Sequence, residues 1–184
     1  CNTISEEPCG NEWLARPNAR SNKCTQCPAC MGNEVHIDGR NSMQTVNPEL
    51  ASEIHPSKNP GIDPNKIIAG TNKLIWWVCK TISDNPCGHE WRTRASTRHH
   101  NGTNCPACSG NVVHIDGRNS MKAVRPDLAS ELHPTKNGKW NADNLLPGFY
   151  THVWWECKTI SETPCGHVWR AKPSGRHHHG NGCP

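Results

Sequence analysis

The chain has 184 residues, 12 cysteines, 8 tryptophans and a formal net charge of +4 at pH 7. Leucine, isoleucine, valine and phenylalanine fill only 26 of the 184 positions, fewer than the roughly one fifth that globular chains usually need. No apolar run of about 18 residues occurs, which argues against a membrane-spanning helix. Small modules with so few aliphatic residues need metal ions or disulfides to stay folded, and the cysteines are able to supply either.

The chain is a tandem repeat with a period of 78 residues. Shifting the sequence by this period aligns four sets of positions without a gap: Cys1 with Cys79 and Cys157, Cys9 with Cys87 and Cys165, Trp13 with Trp91 and Trp169, and Cys27 with Cys105 and Cys183. Two units are complete and a third begins at Cys157. Because the chain starts on one of these cysteines and stops beside another, we expect it to be a window from a longer array.

The first segment, residues 1–30, carries two cysteine pairs with a loop between them. A linker over 31–47 follows and recurs over 109–125, with GNEVHIDGRNSM in the first copy and GNVVHIDGRNSM in the second. The run Val-Val-His-Ile predicts a short strand and Asp116-Gly117 a tight turn. A flexible spacer has no physical need to keep one sequence in two copies, so we expect the linker to be ordered.

A short helix is predicted next, from Pro126 to Leu132 and in the copy that starts at Pro48. Proline in the first turn, an acidic residue after it and a repeating apolar face are typical of a helix start. A variable loop leads to a strand that carries two adjacent tryptophans into the next cysteine. Residues 90–94, Glu-Trp-Arg-Thr-Arg, alternate as a hairpin strand does. Each unit should therefore contain a helix, a strand, and a hairpin flanked by two cysteine knuckles.

The two cysteine pairs of each unit favour a tetrahedral Zn²⁺ site, because each knuckle presents two sulfurs to one ion. The predicted ligands are Cys1, Cys9, Cys27 and Cys30, then Cys79, Cys87, Cys105 and Cys108, then Cys157, Cys165 and Cys183. Two disulfides per unit are the alternative, although the CPxC spacing strains a disulfide and suits a metal. Iron is a further alternative, since four thiolates also bind it. Cys24 has no counterpart in the other units and is expected to be a free thiol near the site.

Histidine follows the second cysteine in two units, as His89 and His167, but the first unit has Asn11 there. Asparagine is a poor zinc ligand, so we assign these histidines to supporting contacts around a four-cysteine site. The repeated tryptophans Trp13, Trp91 and Trp169 are interpreted as core residues rather than as a base-stacking surface. Trp140 has no counterpart and is the better candidate for an exposed contact.

The order LASELHPTKN, a Pro-Gly turn, WWxC, CGHxW, an arginine-bearing loop and CPxCSG resembles the zinc-ribbon (treble-clef type) repeat family of bacteria, algae and large DNA viruses. The resemblance covers nearly the whole chain, although the spacing between Cys79 and Cys87 is longer than in most relatives. It implies small α+β zinc-stapled modules in tandem with little hydrophobic core, over 48–108 and 126–184, with 1–30 the end of a preceding module. It also implies zinc binding and an association with nucleic acid.

The basic segments point to the same partner. Positive charge is concentrated in the cysteine segments of the second and third units, where Arg94, Arg98, Lys172 and Arg176 are predicted to contact a phosphate backbone. The alternative is that these residues form a solvated hairpin tip.

The sequence therefore predicts a zinc-binding repeat protein that binds nucleic acid as a binding or scaffold component, inside a reducing compartment or a virus particle. A purely architectural protein–protein repeat of a large assembly and an extracellular disulfide-bonded repeat are the alternatives. An enzyme is disfavoured, because no nucleophile and base pair recurs and the His114, Asp116 pair lacks further carboxylates.

Overall fold

The computed structural model describes residue 1 and residues 9–22, 26–158 and 162–184. The chain divides into two compact units, Cys1–Cys105 and Pro106–Pro184, and the division falls inside the second CPAC motif. No helix in this described part of the chain combines the length and the apolar character needed to cross a membrane.

The described residues of the first unit form four short helices and a two-stranded antiparallel sheet. In chain order these are α1 (Pro17–Asn22), α2 (Met43–Val46), α3 (Pro48–Ser52), β1 (Leu74–Val78), β2 (Glu90–Arg94) and α4 (Ala95–Asn101). The second unit repeats the pattern with α5 (Met121–Val124), α6 (Pro126–Ser130), β3 (Val153–Glu156), β4 (Val168–Ala171) and α7 (Pro173–His179). The small α+β architecture predicted from the sequence is confirmed.

The predicted helices at Pro48 and Pro126 are confirmed as α3 and α6. Proline occupies the first turn of both, and in α3 the side chain of Asn47 accepts a hydrogen bond from the backbone of Leu50. Both helices are shorter than predicted and end at Ser52 and Ser130. They stop there because the residues that follow pair with the strand that bears the tryptophans, through the bridges Ile54↔Trp77 and Leu132↔Trp155.

The adjacent tryptophans of each first strand lie on opposite faces of the sheet, as successive strand residues must. Trp77 is fully buried and pairs across the sheet with Trp91, whereas Trp76 is partly exposed and pairs with Arg92. The buried residues of the first core are Met43, Leu50, Ala51, Ile67, Ala69, Ile75, Trp77 and Ala95. Those of the second are Met121, Leu128, Leu145, Val153, Trp155, Cys157 and Trp169. Each unit thus has its own small core.

The predicted strand in the linker is wrong, because residues 112–114 form a bend followed by irregular backbone and residue 115 begins a turn. The backbone N–H of His114 donates to the side-chain oxygen of Asn119 at 2.7 Å, and the amide of Asn119 donates to the carbonyl of Val112 at 3.1 Å. The Asn119 side chain therefore occupies backbone groups that a sheet ladder would use. The tight turn at Asp116-Gly117 is confirmed, with Gly117 at φ 73°.

The basic stretch between the knuckles is a helix and not a hairpin tip. Residues 95–101 form α4 directly after β2, and residues 173–179 form α7 directly after β4. Each helix ends on a glycine in the left-handed conformation, Gly102 at φ 61° and Gly180 at φ 67°, which favours a residue without a Cβ. Each of these helices directs one arginine side chain toward the core, Arg98 from α4 and Arg176 from α7.

Candidate metal centres

The first knuckle of each module closes through backbone hydrogen bonds. The N–H of Cys79 donates to the carbonyl of His89 at 2.9 Å, and the N–H of Gly88 donates to the carbonyl of Cys79 at 3.1 Å. The N–H of Cys87 also donates to the Sγ of Cys79 at 3.4 Å. These bonds bring the two cysteines together, and residues 80–86 leave the knuckle as a loop.

The same closure occurs in every copy. The bond from Cys157 to His167 measures 2.9 Å, and the equivalent glycine bonds are 3.2 Å at both Cys1 and Cys157. The glycines that close the knuckles all have positive φ, Gly10 at 69°, Gly88 at 69° and Gly166 at 68°, a conformation that other residues adopt at a cost. The long spacing within the first cysteine pair is therefore compatible with a knuckle.

The second knuckle, CPAC, turns back on itself after the proline. In the first copy the N–H of Met31 donates to the carbonyl of Cys27 at 2.9 Å and that of Gly32 to Ala29 at 3.0 Å. The matching bond from Gly110 to Ala107 is 3.0 Å. Such a turn points both thiols to the same side.

The predicted ligands come together in three clusters: Cys1, Cys9, Cys27 and Cys30; Cys79, Cys87, Cys105 and Cys108; and Cys157, Cys165 and Cys183. Within each cluster the sulfur atoms all lie within 4.8 Å of one another. The sulfur–sulfur distances within the clusters include 3.6 Å for Cys9–Cys27, 3.6 Å for Cys87–Cys105 and 3.7 Å for Cys165–Cys183.

These distances suit one metal ion per cluster. Four sulfurs at about 2.3 Å from a tetrahedral Zn²⁺ lie about 3.8 Å apart, whereas a disulfide places them about 2.05 Å apart. Among the cysteines that the structure describes, none forms a disulfide. The donor set and its spacing therefore fit a metal centre. Cys24, the predicted free thiol, lies outside the described residues.

The pKa of the Cys27 thiol is lower than that of an ordinary cysteine, which favours the thiolate. Its burial raises the pKa, but the backbone N–H of Cys30, the thiol of Cys9 and the backbone N–H of Ala29 outweigh burial and lower the pKa to about 7. Metal binding requires the thiolate, so Cys27 gives up its proton to a metal more readily than an ordinary thiol does.

The histidine of the CGHxW motif does not belong to any of the three clusters. His89 stacks on Trp91 with ring centroids 6.2 Å apart, and His167 stacks on Trp169 at 6.1 Å. In the first copy, the side-chain amide of Asn11 donates to the Sγ of Cys27 at 3.8 Å. The position therefore lies beside the sulfur cluster whichever residue occupies it.

A buried carboxylate ties the first knuckle to the helix before it. Oε1 of Glu53 accepts hydrogen bonds from three successive backbone N–H groups, those of Lys80 at 3.0 Å, Thr81 at 2.9 Å and Ile82 at 3.0 Å. Burial raises the pKa of Glu53, but these three donors and Arg98 outweigh it and lower the pKa below its ordinary value. The carboxylate is therefore ionised, and it holds the loop that follows Cys79.

The partner of this carboxylate is Arg98 on α4, whose Nη2 donates to Oε2 of Glu53 at 2.7 Å, with both side chains only 1% exposed. The guanidinium lies over the rings of Trp77 at 4.7 Å and Trp91 at 4.9 Å. Its Nε also donates to the carbonyl of Thr103 at 3.3 Å. One arginine thus links the helix, the sheet and the segment that leads into Cys105.

The second module repeats this arrangement. Arg176 donates to Glu131 at 2.7 Å, lies over Trp155 at 4.4 Å and Trp169 at 5.0 Å, and donates to the carbonyl of Asn181 at 3.1 Å. In the partial first copy, Arg20 lies over Trp13 at 5.0 Å. Sequence reasoning missed the glutamates, although Glu53 and Glu131 recur at the repeat period.

The structure corrects two of the four predicted phosphate contacts. Arg98 and Arg176 are buried and already paired, because α4 and α7 turn them toward the core, so neither reaches a phosphate backbone. Arg94 and Lys172 are exposed. Trp140 also differs from its prediction, since it is partly buried and packs on Phe149 with ring centroids 4.7 Å apart.

Comparison with known families identifies the modules. A family model described as a probable treble clef zinc finger domain matches residues 50–111 and again residues 128–184. The two matches cover well over half of the chain, and the chain therefore belongs to this family, with its modules in tandem. No curated protein matches the chain.

Proposed function

We propose that this chain is an array of treble-clef modules, each stapled by a structural Zn²⁺, that binds nucleic acid through phosphate contacts independent of base sequence. The zinc assignment is supported by clusters that contain cysteine sulfur alone at spacings that suit a tetrahedral ion. A site with four thiolate ligands leaves no open position on the ion, which supports a structural role for the metal, and no step of chemistry is attributed to it.

The observation that carries the nucleic-acid proposal is a row of exposed cations repeated on the second strand of each sheet. Arg92 and Arg94 alternate outward along β2, while Trp91 and Thr93 face the other side. Arg170 on β4 and Lys172 just after it take the same places in the second module. Cations spaced along an extended strand suit a phosphate backbone, which carries regularly spaced negative charge.

A charge-matched pair of variants tests this surface. Replacing Arg92, Arg94, Arg170 and Lys172 by glutamine should weaken binding to mixed-sequence DNA and RNA almost equally. The slope of log K against log salt should flatten by roughly 0.7–0.9 for each phosphate that the variant no longer neutralises. The control replaces Arg40, Lys66, Arg118 and Lys122, which are also exposed but lie outside the sheet. It removes the same formal charge.

The control variant should keep most of the affinity, because it retains the surface that holds the backbone. Equal weakening by both sets would indicate a general charge effect and would contradict this surface. No measurable binding of the zinc-loaded chain at low salt would overturn the nucleic-acid proposal as a whole.

A second candidate function, a protein–protein scaffold, is supported by the linker turn. Ile37 and Ile115 occupy the same place in the repeated HIDGRNS turn and are 80% and 77% exposed. The neighbouring residues have structural roles. The side chain of Asn41 accepts a hydrogen bond from the backbone of His36, Ser42 caps α2, and Met43 belongs to the core. The exposed isoleucine has no such role, and its repetition fits an apolar contact with another protein.

Self-association separates the two candidates. Under the scaffold function, replacing Ile37 and Ile115 by serine should abolish any concentration-dependent association seen by analytical ultracentrifugation and leave nucleic-acid affinity unchanged. If the intact chain stays monomeric at high concentration, association between copies of this chain is ruled out as the scaffold contact.

A further inference from the structure

The outer face of each two-stranded sheet displays one tryptophan that the core does not use. Trp76 and Trp154 belong to neither core cluster and are partly exposed, whereas their neighbours Trp77 and Trp155 are fully buried. The tryptophan that faces inward fills the core of its module. The core has no need of a second tryptophan on the solvent side of the same strand. Both modules nevertheless have it.

The backbone beneath each outer tryptophan is held rigidly. The N–H of Trp76 donates to the side-chain oxygen of Asn59 at 2.8 Å, and the amide of Asn59 donates back to the carbonyl of Trp76 at 2.9 Å. Asn137 makes the same two bonds to Trp154, at 2.7 Å and 3.0 Å. The ring is thereby presented by an ordered strand, so little conformational entropy is lost when a flat ligand stacks on it.

Cations surround both rings. Lys58 lies over the ring of Trp76 at 5.0 Å, and the cross-strand partner of Trp76 is Arg92. In the second module Lys136 lies over Trp154 at 5.0 Å and Arg170 at 5.6 Å. The lysines are exposed at the end of long flexible side chains, so each ammonium is able to move from the ring to a phosphate while the ring receives a base.

We infer that Trp76 and Trp154 are stacking platforms for unpaired bases, so that the array binds single-stranded nucleic acid in preference to duplex. This inference rests on the proposed function and adds to it the form of nucleic acid that is bound. An exposed aromatic ring next to cations is the combination by which proteins hold single strands, since every base has a stacking face whatever its identity. In a duplex the base faces are already stacked on each other and are closed to the tryptophan.

A carboxylate shares the outer face of each sheet with the tryptophan. In the first module it is Glu90 on β2, which pairs with Lys58. In the second module the residue equivalent to Glu90 is Val168, but its cross-strand partner on β3 is Glu156, which pairs with Lys158. A lysine offsets the charge of each carboxylate, so neither tryptophan is favoured over the other.

The test uses the zinc-loaded full chain with a fluorescein-labelled oligothymidylate and a labelled duplex of mixed sequence, measured by anisotropy. The wild type should bind the single strand more tightly. Replacing either Trp76 or Trp154 by alanine should weaken single-strand binding about tenfold. Duplex affinity should change little in either variant. The phenylalanine variants of both positions should retain most of the single-strand affinity, because phenylalanine keeps a stacking face.

Fluorescence gives an independent reading that does not depend on an alanine variant staying folded. Oligothymidylate should quench part of the tryptophan emission of the wild type, and this quenching should fall in the double phenylalanine variant although it still binds. Unchanged quenching in that variant would overturn the platforms.

The failure of this inference is distinguishable from failure of the proposed function. If the chain binds nucleic acid but both alanine variants bind the single strand as the wild type does, the platforms are wrong and the phosphate contacts stand. If the wild type binds neither probe at low salt, both proposals are overturned.

Discussion

Glu53 connects four parts of its module through one buried side chain. Its oxygens accept from the loop after Cys79 and from Arg98, and Arg98 in turn contacts both inner tryptophans. A buried ion pair adds little net stability by itself, but removing one partner leaves the other charged and unpaired inside the protein. The pair therefore makes the module intolerant of losing either residue.

Glu53→Ala should destabilise the first module by about 3–5 kcal/mol, because Arg98 and three backbone N–H groups lose their acceptor. Urea unfolding of the zinc-loaded chain measures this, and the second module serves as an internal reference. Glu49→Ala is the matched control, since it removes the same residue type from an exposed position of the same helix. It should change the free energy of unfolding by less than about 0.5 kcal/mol. Similar losses in the two variants would contradict the role assigned to the buried pair.

The ligand assignment is tested by two variants two residues apart. Cys87→Ser should remove the tightly held ion from its own cluster, because it leaves three of the four sulfurs. His89→Asn should leave the metal content unchanged, since the first copy already has Asn11 beside its cluster. Metal analysis by mass spectrometry under native conditions gives both answers. Loss of an ion from the His89 variant would place a histidine among the ligands.

At the scale of elements, a side-chain amide adds hydrogen bonds at the edge of each sheet, beside the short bridge from the segment that follows the helix. Asn59 bonds the N–H and carbonyl of Trp76 and also the carbonyl of His55, at distances of 2.8–2.9 Å. An edge strand normally leaves such groups to water or to another chain. The asparagine therefore stabilises a sheet of only two strands, which is marginal by itself.

Asn59→Ala should cost about 2–3 kcal/mol of unfolding free energy in the first module, at about 1 kcal/mol for each hydrogen bond removed. Hydrogen exchange at the backbone N–H of Trp76 should accelerate in parallel. Asn65→Ala is the control, because it removes only the side-chain hydrogen bond from Asn65 to its neighbour Asp63. Equal protection of Trp76 in wild type and variant would show that the clamp is dispensable.

The strands could be predicted from sequence because the alternation of bulky and polar residues over 90–94 reports directly which side chains face inward. The helix at 95–101 could not be predicted in the same way. Its arginine and histidines look like a solvated tip in sequence, since charged residues are mostly exposed. The inward turn of Arg98 depends on Glu53, which lies 45 residues earlier in the chain.

At the scale of the whole molecule, the repeat identifies the three cysteine clusters because ligand positions recur at a fixed period. The same period carries information about the buried ion pair. Glu53 recurs as Glu131, and Arg98 recurs as Arg20 and Arg176. A residue that recurs at the repeat period is needed by each module. Its burial in the structure then shows whether it stabilises the core or is available to a binding partner. For this reason the sequence pattern assigns Arg98 to a partner, although the residue belongs to the core.

The exposed surface was the least predictable part from sequence. Adjacent tryptophans in a strand must face opposite ways, but sequence alone does not say which of Trp76 and Trp77 faces the core. The bridge from Ile54 to Trp77 and the bond from His55 to Trp76 fix the orientation. Both contacts come from a segment more than twenty residues earlier, so they are a consequence of tertiary packing.

Under the proposed function, bound metal ions keep modules with small cores folded. Removing those ions tests this role most directly. The purified chain should contain about two tightly held zinc ions at the four-cysteine clusters, with a third held more weakly at Cys157, Cys165 and Cys183. Since the unfolded chain has no preformed site, metal binding energy is folding energy. Excess chelator at neutral pH should expose the thiols, shift tryptophan emission to the red and abolish the helical circular dichroism signal, and zinc should restore all three. A metal-free chain that keeps native tryptophan emission and helical signal would contradict the account.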